Sequence, residues 1–266
     1  MNRARIRALL AKEFLDLARN RTALVPVIIV TSVALLLPFG ITVAIPALTG
    51  HGLGEDLGLV KVSTVVNAPE SLSSDARVQL FLFQQFLMMF LLTPITGAMT
   101  LAAHSVVGEK QSRTLEPLLA TPITTLELLA AKVFGALIPT FVISFAGLAL
   151  YAGAIITFAE PGVVSAMASA RTLLLILFVA PAAGLVSLQS AVLISSRVSD
   201  PRTAQQFGVL IIAPLSGIFV AQFTGSLWFS TKALAVLGVG LVGVWMLLLL
   251  FSVALFERET ILTRWR

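Results

Sequence analysis

Uncharged residues run along this chain in six long blocks. Arg21 to Glu55 encloses 33 positions without Asp, Glu, Lys or Arg, and Arg77 to Glu109 encloses 31. Lys132 to Glu160 encloses 27, Arg171 to Arg197 encloses 25, Arg202 to Lys232 encloses 29, and Lys232 to Glu257 encloses 24. A helix crossing the hydrocarbon core needs about 20 apolar residues. Each block clears that length once, and none is long enough to cross twice. The pattern predicts helices near 23–48, 80–107, 130–157, 172–195, 206–223 and 233–256. A barrel strand needs only about 10 residues of alternating character, and these blocks do not alternate. The expected fold is an all-α polytopic membrane protein with six transmembrane helices.

Composition agrees. Of the 266 residues, 58% are hydrophobic and 12% charged, with a mean hydropathy of +0.99. A soluble domain carries roughly 25% charged residues, so a soluble enzyme and a disordered chain are both excluded. Cysteine is absent, which removes disulfides, thiolate nucleophiles and Cys-based metal sites. Imidazole chemistry is left to His51 and His104.

The placement of Lys and Arg sets the expected orientation. Six lie in residues 1–22. Lys110, Arg113 and Lys132 follow span two, Arg197 and Arg202 follow span four, and Arg258, Arg264 and Arg266 end the chain. Those 14 face Lys61, Arg77, Arg171 and Lys232 on the other side, so both termini are expected in the cytoplasm. The first apolar run is too long for a signal peptide and reads as a retained span. The chain then divides into a cytoplasmic helix over 1–22, a six-span domain over 23–256, and a tail over 257–266. Within the domain, 49–79 is the one sizeable outer loop, and Ser73 or Ser74 with Asp75 is expected to cap span two. The sequence shows no internal repeat.

Two cytoplasmic segments carry more pattern than a loop needs. In residues 1–21, Ile6, Leu10, Phe14 and Leu17 recur at helical spacing with Leu9 beside them, while Arg5, Arg7, Lys12, Asp16 and Arg19 fall elsewhere. This is an amphipathic helix, suited to the anionic membrane surface or to a cytoplasmic partner. In segment 108–127, Ser112 can cap a short helix on which Leu115, Leu118 and Leu119 form an apolar face, and Pro122 ends it. Thr124 or Thr125, followed by Glu127, starts the next helix.

The stretch GEKQSRTLEPLLATPITTLELLAAKVFGAL, 108–137, resembles the hallmark cytoplasmic loop of ABC-2 type transporter permeases, most closely the sodium-exporter-like (NatB-like) ones. AKEFLDLARNRTAL (11–24) is similar to that family's connecting helix, SSRVSDPRTAQQFGVLIIAPL (195–215) to its segment between spans four and five, and FERETILTRW (256–265) to its tail. The resemblance implies a half-transporter that pairs with a second copy or a paralogue and docks on a separate ATP-binding cassette subunit. Glu109, Arg113, Thr114, Leu115, Glu116, Leu118, Leu119, Thr121 and Pro122 would then form the coupling helix region, with Lys12 and Glu13 on the connecting helix. No G-x-x-x-x-G-K-[ST] phosphate loop is present, so ATP and Mg are expected on the partner and no cofactor on this chain. The resemblance implies an exporter in the plasma membrane of a bacterium or archaeon, working by alternating access.

Within span two, Gln85, Met89, Thr93, Thr96, Thr100 and His104 follow one another at spacings of three and four, on one side of a helix. Such a stripe either bonds neighbouring helices or lines a cavity. The resemblance favours the cavity, since spans two and five commonly flank one at the dimer interface there. His104 has two readings, a helix-end hydrogen bond or a proton or metal contact. Gln189 lies mid-span four, Gln206 opens span five, and Ser216 lies further along it. These complete the candidate translocation path. Pro94, Pro139, Pro181 and Pro214 fall inside spans two to five, with Pro214 near Gly217 the preferred hinge.

No expected span carries a charge at its middle, as ion and proton pathways usually require. Energy must therefore come from outside the membrane. An intramembrane protease or phosphotransferase lacks its signature residues. A non-transporting scaffold or regulatory subunit with the same fold is the remaining alternative to the permease reading.

Overall fold

The computed structural model describes residues 3–111, 124–198, 203, 206 and 217–255. Among them there is no strand. The helices are α1 (Arg3–Arg19), α2 (Arg21–Phe39), α3 (Ile45–Thr49), α4 (Leu57–Ser63), α5 (Ser74–Met89), α6 (Leu92–Gln111), α7 (Thr125–Phe158), α8 (Val163–Met167), α9 (Ala170–Leu174), α10 (Ala180–Arg197) and α11 (Thr231–Leu255). Five stretches are long and apolar enough to cross a membrane: Ala23–Thr49, Ser74–Ser105, Ala130–Phe158, Ala170–Ser195 and Thr231–Ser252. Of the expected fifth span, residues 217–223 are helical; most of it, with Pro214 and Ser216, lies outside the described residues.

Helix ends follow local chemistry. Asn20 separates α1 from α2, and its side chain accepts from Ala23 N–H at 3.2 Å. Ser73 caps α5 through Ala76 N–H at 3.1 Å. Thr124 and Glu127 form a reciprocal capping box at the start of α7, at 3.2 and 3.1 Å. Span one closes on Gly50 at φ +72°, a left-handed cap that glycine takes without strain. The span-two helix begins at Ser74, earlier than the expected 80, which brings Arg77 onto it. The outer region between spans one and two is more than a loop, for α4 and a 3₁₀ turn at Leu53–Glu55 lie within it.

The prolines mark where spans depart from straight helix. Pro94 cannot donate to the Phe90 carbonyl, and span two breaks at Phe90–Leu91 between α5 and α6. A wide turn at Gly40–Ala44 follows Pro38 in span one, where Thr42 Oγ1 donates to the Pro38 carbonyl at 2.7 Å. A similar turn at Leu175–Val179 precedes Pro181 in span four.

Span two is the axis of the bundle. Of its most apolar stretch, 78% of positions are buried, against 17%, 22% and 11% for spans one, three and six. Those three therefore present much of their surface outward. Around the upper half of span two, Phe39, Phe83, Phe90 and Tyr151 pack in tilted and edge-to-face pairs with centroids 5.0–6.0 Å apart. Tyr151 Oη donates to the Phe83 carbonyl at 2.9 Å. Around the lower half, small residues bring backbones close. A Cβ added at Gly97 would stand 2.9 Å from Thr140 Cγ2, and one at Gly184 would stand 3.2 Å from Pro94 Cβ.

Packing outweighs the hydroxyl at Tyr151. Tyr151→Phe is expected to cost about 0.6 kcal/mol, the scale of an interhelical hydrogen bond in a membrane. Tyr151→Ala is expected to cost about 3–5 kcal/mol through the cavity left behind. Thermal unfolding of both variants in the same detergent checks the order.

Candidate functional site: the junction of the N-terminal helix with spans two and three

Helix α1 turns an acid inward. Glu13 is buried although it belongs to a charged segment, and Leu9 one turn earlier is buried beside it. Phe14, placed by its spacing on the apolar face, is instead 37% exposed. The helix is rotated so that Glu13 meets Lys132. This lysine, counted by its charge with the cytoplasmic loop, sits on α7 and is only 2% exposed.

Glu13 and Lys132 approach to 3.5 Å, with Ser105 of α6 between them. Ser105 Oγ donates to Glu13 Oε2 at 2.6 Å. Lys132 Nζ donates to Ser105 Oγ at 3.3 Å and to the Ser105 carbonyl at 3.4 Å. Lys12 reaches Glu13 at 3.6 Å and Asp16 at 3.4 Å from the exposed side. Gly135 makes the approach possible, because a Cβ there would lie 2.8 Å from Glu13 Cβ. One carboxylate, one ammonium and one hydroxyl thus join α1, the end of span two and the start of span three. Breaking such a pair leaves a bare charge out of water, which costs several kcal/mol.

A cavity of about 50 Å³ lies against this junction. Asp16, Asn20, His104 and Ser105 line it together with Glu13. His104 is engaged by the surrounding residues. Among the described residues, no three His, Asp or Glu side chains approach closely enough to hold a metal ion.

Of the residues the family resemblance assigned to coupling, Lys12 and Glu13 are at this junction. Glu109 lies on α6, with its side chain outside the described residues. Arg113, Thr114, Leu115, Glu116, Leu118, Leu119, Thr121 and Pro122 lie outside the described residues altogether. Lys132, Ser105 and Gly135 were missed as site residues. The available signal was a single lysine in the apolar run LLAAKVFG, followed three residues later by a glycine.

The polar stripe of span two is divided by the break at Phe90–Leu91. Gln85 is fully buried, and its Nε2 donates to the Phe219 carbonyl of span five at 3.0 Å. Met89 lines a cleft with Met88, Leu92, Ile218 and Phe219. Below the break, Thr93 is fully buried with no hydrogen-bond partner for its hydroxyl among the described residues. Thr96 bonds back to the Leu92 carbonyl at 2.6 Å, and Thr100 is buried. Gln189 donates to Ser252 Oγ, tying span four to span six. Gln206 is exposed, and Ser216 is outside the described residues. Gln85 and Met89 therefore face the span-five helix, while Gln189 is joined to a different helix.

At the opposite rim, His51 Nδ1 and Glu55 Oε2 stand 2.8 Å apart. The His51 bond, with a second from Gly52 N–H, holds the Glu55 carboxyl below its ordinary range. That contribution is present at neutral pH and is lost as pH falls through the lowered value.

Residues 59–252 match the family described as ABC-2 family transporter protein. No curated protein matches the chain.

The junction predicts strong non-additivity. Glu13→Leu or Lys132→Met alone is expected to destabilise by about 3 kcal/mol, since each takes an opposite charge away from a buried group that keeps only its remaining partners. The double variant is expected to recover most of that loss. A double-mutant cycle in thermal unfolding checks this, and additive effects would mean the pair does not interact.

Proposed function

The chain belongs to the ABC-2 transporter family, and from that premise we propose that it is a half-transporter driven through the α1 junction by a separate ATP-binding cassette subunit. It is a multi-pass membrane protein and a permease component of an ABC transporter. Family members typically pair with an ATP-binding cassette subunit. In the proposed assembly two permease chains, identical or paralogous, face each other in the plasma membrane. Six spans cross it with both termini in the cytoplasm. ATP and Mg bind the partner subunit and not this chain. Among family branches, the sodium-exporter-like one is the preferred placement, with export as the direction.

The observation that carries this reading is the Glu13–Ser105–Lys132 cluster. It supports a mechanical role for α1, because a helix merely lying on the membrane surface has no need to bury an acid against two spans. A cassette that pushes on α1, and on segment 109–122 that leads from α6 towards α7, would move the ends of spans two and three together. The bundle then opens to the other side, with the cleft between Met89 and Phe219 on the proposed route. Gln85, Thr93, Thr96 and Thr100 contribute polar groups along span two. Gln189, Gln206 and Ser216 are the proposed contributions of spans four and five. The central span has one place to bend, since its helix is interrupted next to Pro94.

Two substitutions test the coupling assignment. In the intact complex, Glu116→Lys and Leu118→Asn are expected to leave assembly and basal ATP hydrolysis in place. Transport should fall about tenfold or more in each. Measuring ATPase activity and flux on the same reconstituted sample separates the two effects. Normal transport in both variants would remove the coupling role from this segment.

A further inference from the structure

Among the described residues, the rim opposite α1 holds a cation with no anion beside it. Arg171 lays its guanidinium over Trp228, with Cζ 3.9 Å from the ring centroid. Its Nε donates to the Phe229 carbonyl at 3.1 Å, and its Nη1 donates to Gln84 Oε1 at 2.7 Å. Gln84 is buried, and Phe81 on the same helix stacks on Trp228 at 6.1 Å. Every one of these partners is neutral. Of the five guanidinium N–H groups, two are used by these bonds.

The acids of this rim are committed elsewhere or stand in solvent. Asp56 caps α4, Asp75 accepts from Gly54 N–H at 2.6 Å, and Glu55 pairs with His51. Glu70 and Glu160 are exposed. Among the described residues, no carboxylate lies within ion-pair distance of Arg171. The residue is also the second of α9, where the helix dipole disfavours a cation. Arg77 lies on the rim too, on the face of α5 that carries Phe81 and Gln84 four and seven residues later. Its Nε is buried with no hydrogen-bond partner among the described residues.

We propose that Arg171, with Arg77 on the same rim, binds the phosphate of an anionic phospholipid headgroup in the leaflet opposite α1. The planar guanidinium fork, pinned by Trp228 and Gln84, fits two phosphate oxygens better than a point charge does. A lipid is the favoured source because of depth. Arg171 opens an apolar span, and Trp228 is the aromatic type that settles at headgroup level. The following turns of the same span turn Leu173 and Leu177 outward, at 52% and 64% exposure, as apolar surface for acyl chains.

The test uses the full chain, extracted from mixed vesicles of phosphatidylglycerol and phosphatidylcholine, with retained lipid counted by native mass spectrometry. Wild type is expected to keep phosphatidylglycerol in preference to phosphatidylcholine. Arg171→Gln should lower retained phosphatidylglycerol about tenfold, and Arg171→Lys should fall between, because it keeps the charge but loses the fork. Lys232→Gln, at an exposed position on the same rim, should behave as wild type. Excess inorganic phosphate should displace little of the bound lipid. Equal retention of both lipids by wild type would overturn the proposal. So would unchanged retention in Arg171→Gln, equal loss in Lys232→Gln, or displacement by inorganic phosphate. If Arg171→Gln does not fold, Arg171→Lys carries the same test, and retention equal to wild type overturns it.

Discussion

A carboxylate and an ammonium held together out of water join the N-terminal helix to the membrane bundle. Glu13 and Lys132 come from elements more than a hundred residues apart in sequence, and Ser105 supplies the third member from a third helix. Buried pairs of this kind seldom add net stability, because desolvation offsets most of the attraction. What they supply is geometry. A helix held by apolar contacts alone can slide or roll at small cost. A helix whose one buried acid must meet one buried lysine cannot. The rotation that turns Phe14 outward and Glu13 inward is the visible consequence.

The rest of the bundle is arranged so that this junction reaches its centre. Span two carries Ser105 near its end and is the most buried of the five spans among the described residues. Its lower half packs through small residues such as Gly97, Ala98 and Ala102, so displacement at its end is shared closely with spans three and four. Its upper half is set in the aromatic cluster around Tyr151. Between the halves stands the interruption before Pro94. A stiff end, a gripped top and a break between them are the ingredients of a helix that bends at one place.

Much of the fold was legible because the membrane restricts what a sequence can do. Backbone groups in hydrocarbon must be satisfied within the helix, so long uncharged runs can be read as helices. Short-range chemistry was legible as well, as at Ser73 and the Thr124–Glu127 capping box, whose partners are three residues away. The junction was not legible. Helical spacing in residues 1–21 favours Phe14 over Glu13 for the inner face, and only a partner from α7 reverses that choice. Lys132 looked like a topological charge for the same reason. The polar stripe of span two was read on one continuous helix, whereas the break near Pro94 divides it. Gln189 was grouped with that stripe by residue type, while its hydrogen bond goes to Ser252.

The central claim is that α1 and the adjoining ends of spans two and three move as one body. Because the chain has no cysteine, labels can be introduced in pairs without first removing native thiols. Ala8 and Ile138 are both exposed, one on α1 and one on α7. Spin labels at Ala8→Cys and Ile138→Cys, in the assembled transporter, report their separation by pulsed electron resonance before and after vanadate trapping. The account predicts an unchanged distance within the chain and, if the proposed pair consists of identical chains, a changed distance between their two Ala8→Cys labels. A shift in the distance from Ala8→Cys to Ile138→Cys on trapping would contradict it, since α1 would then move without the spans it is joined to.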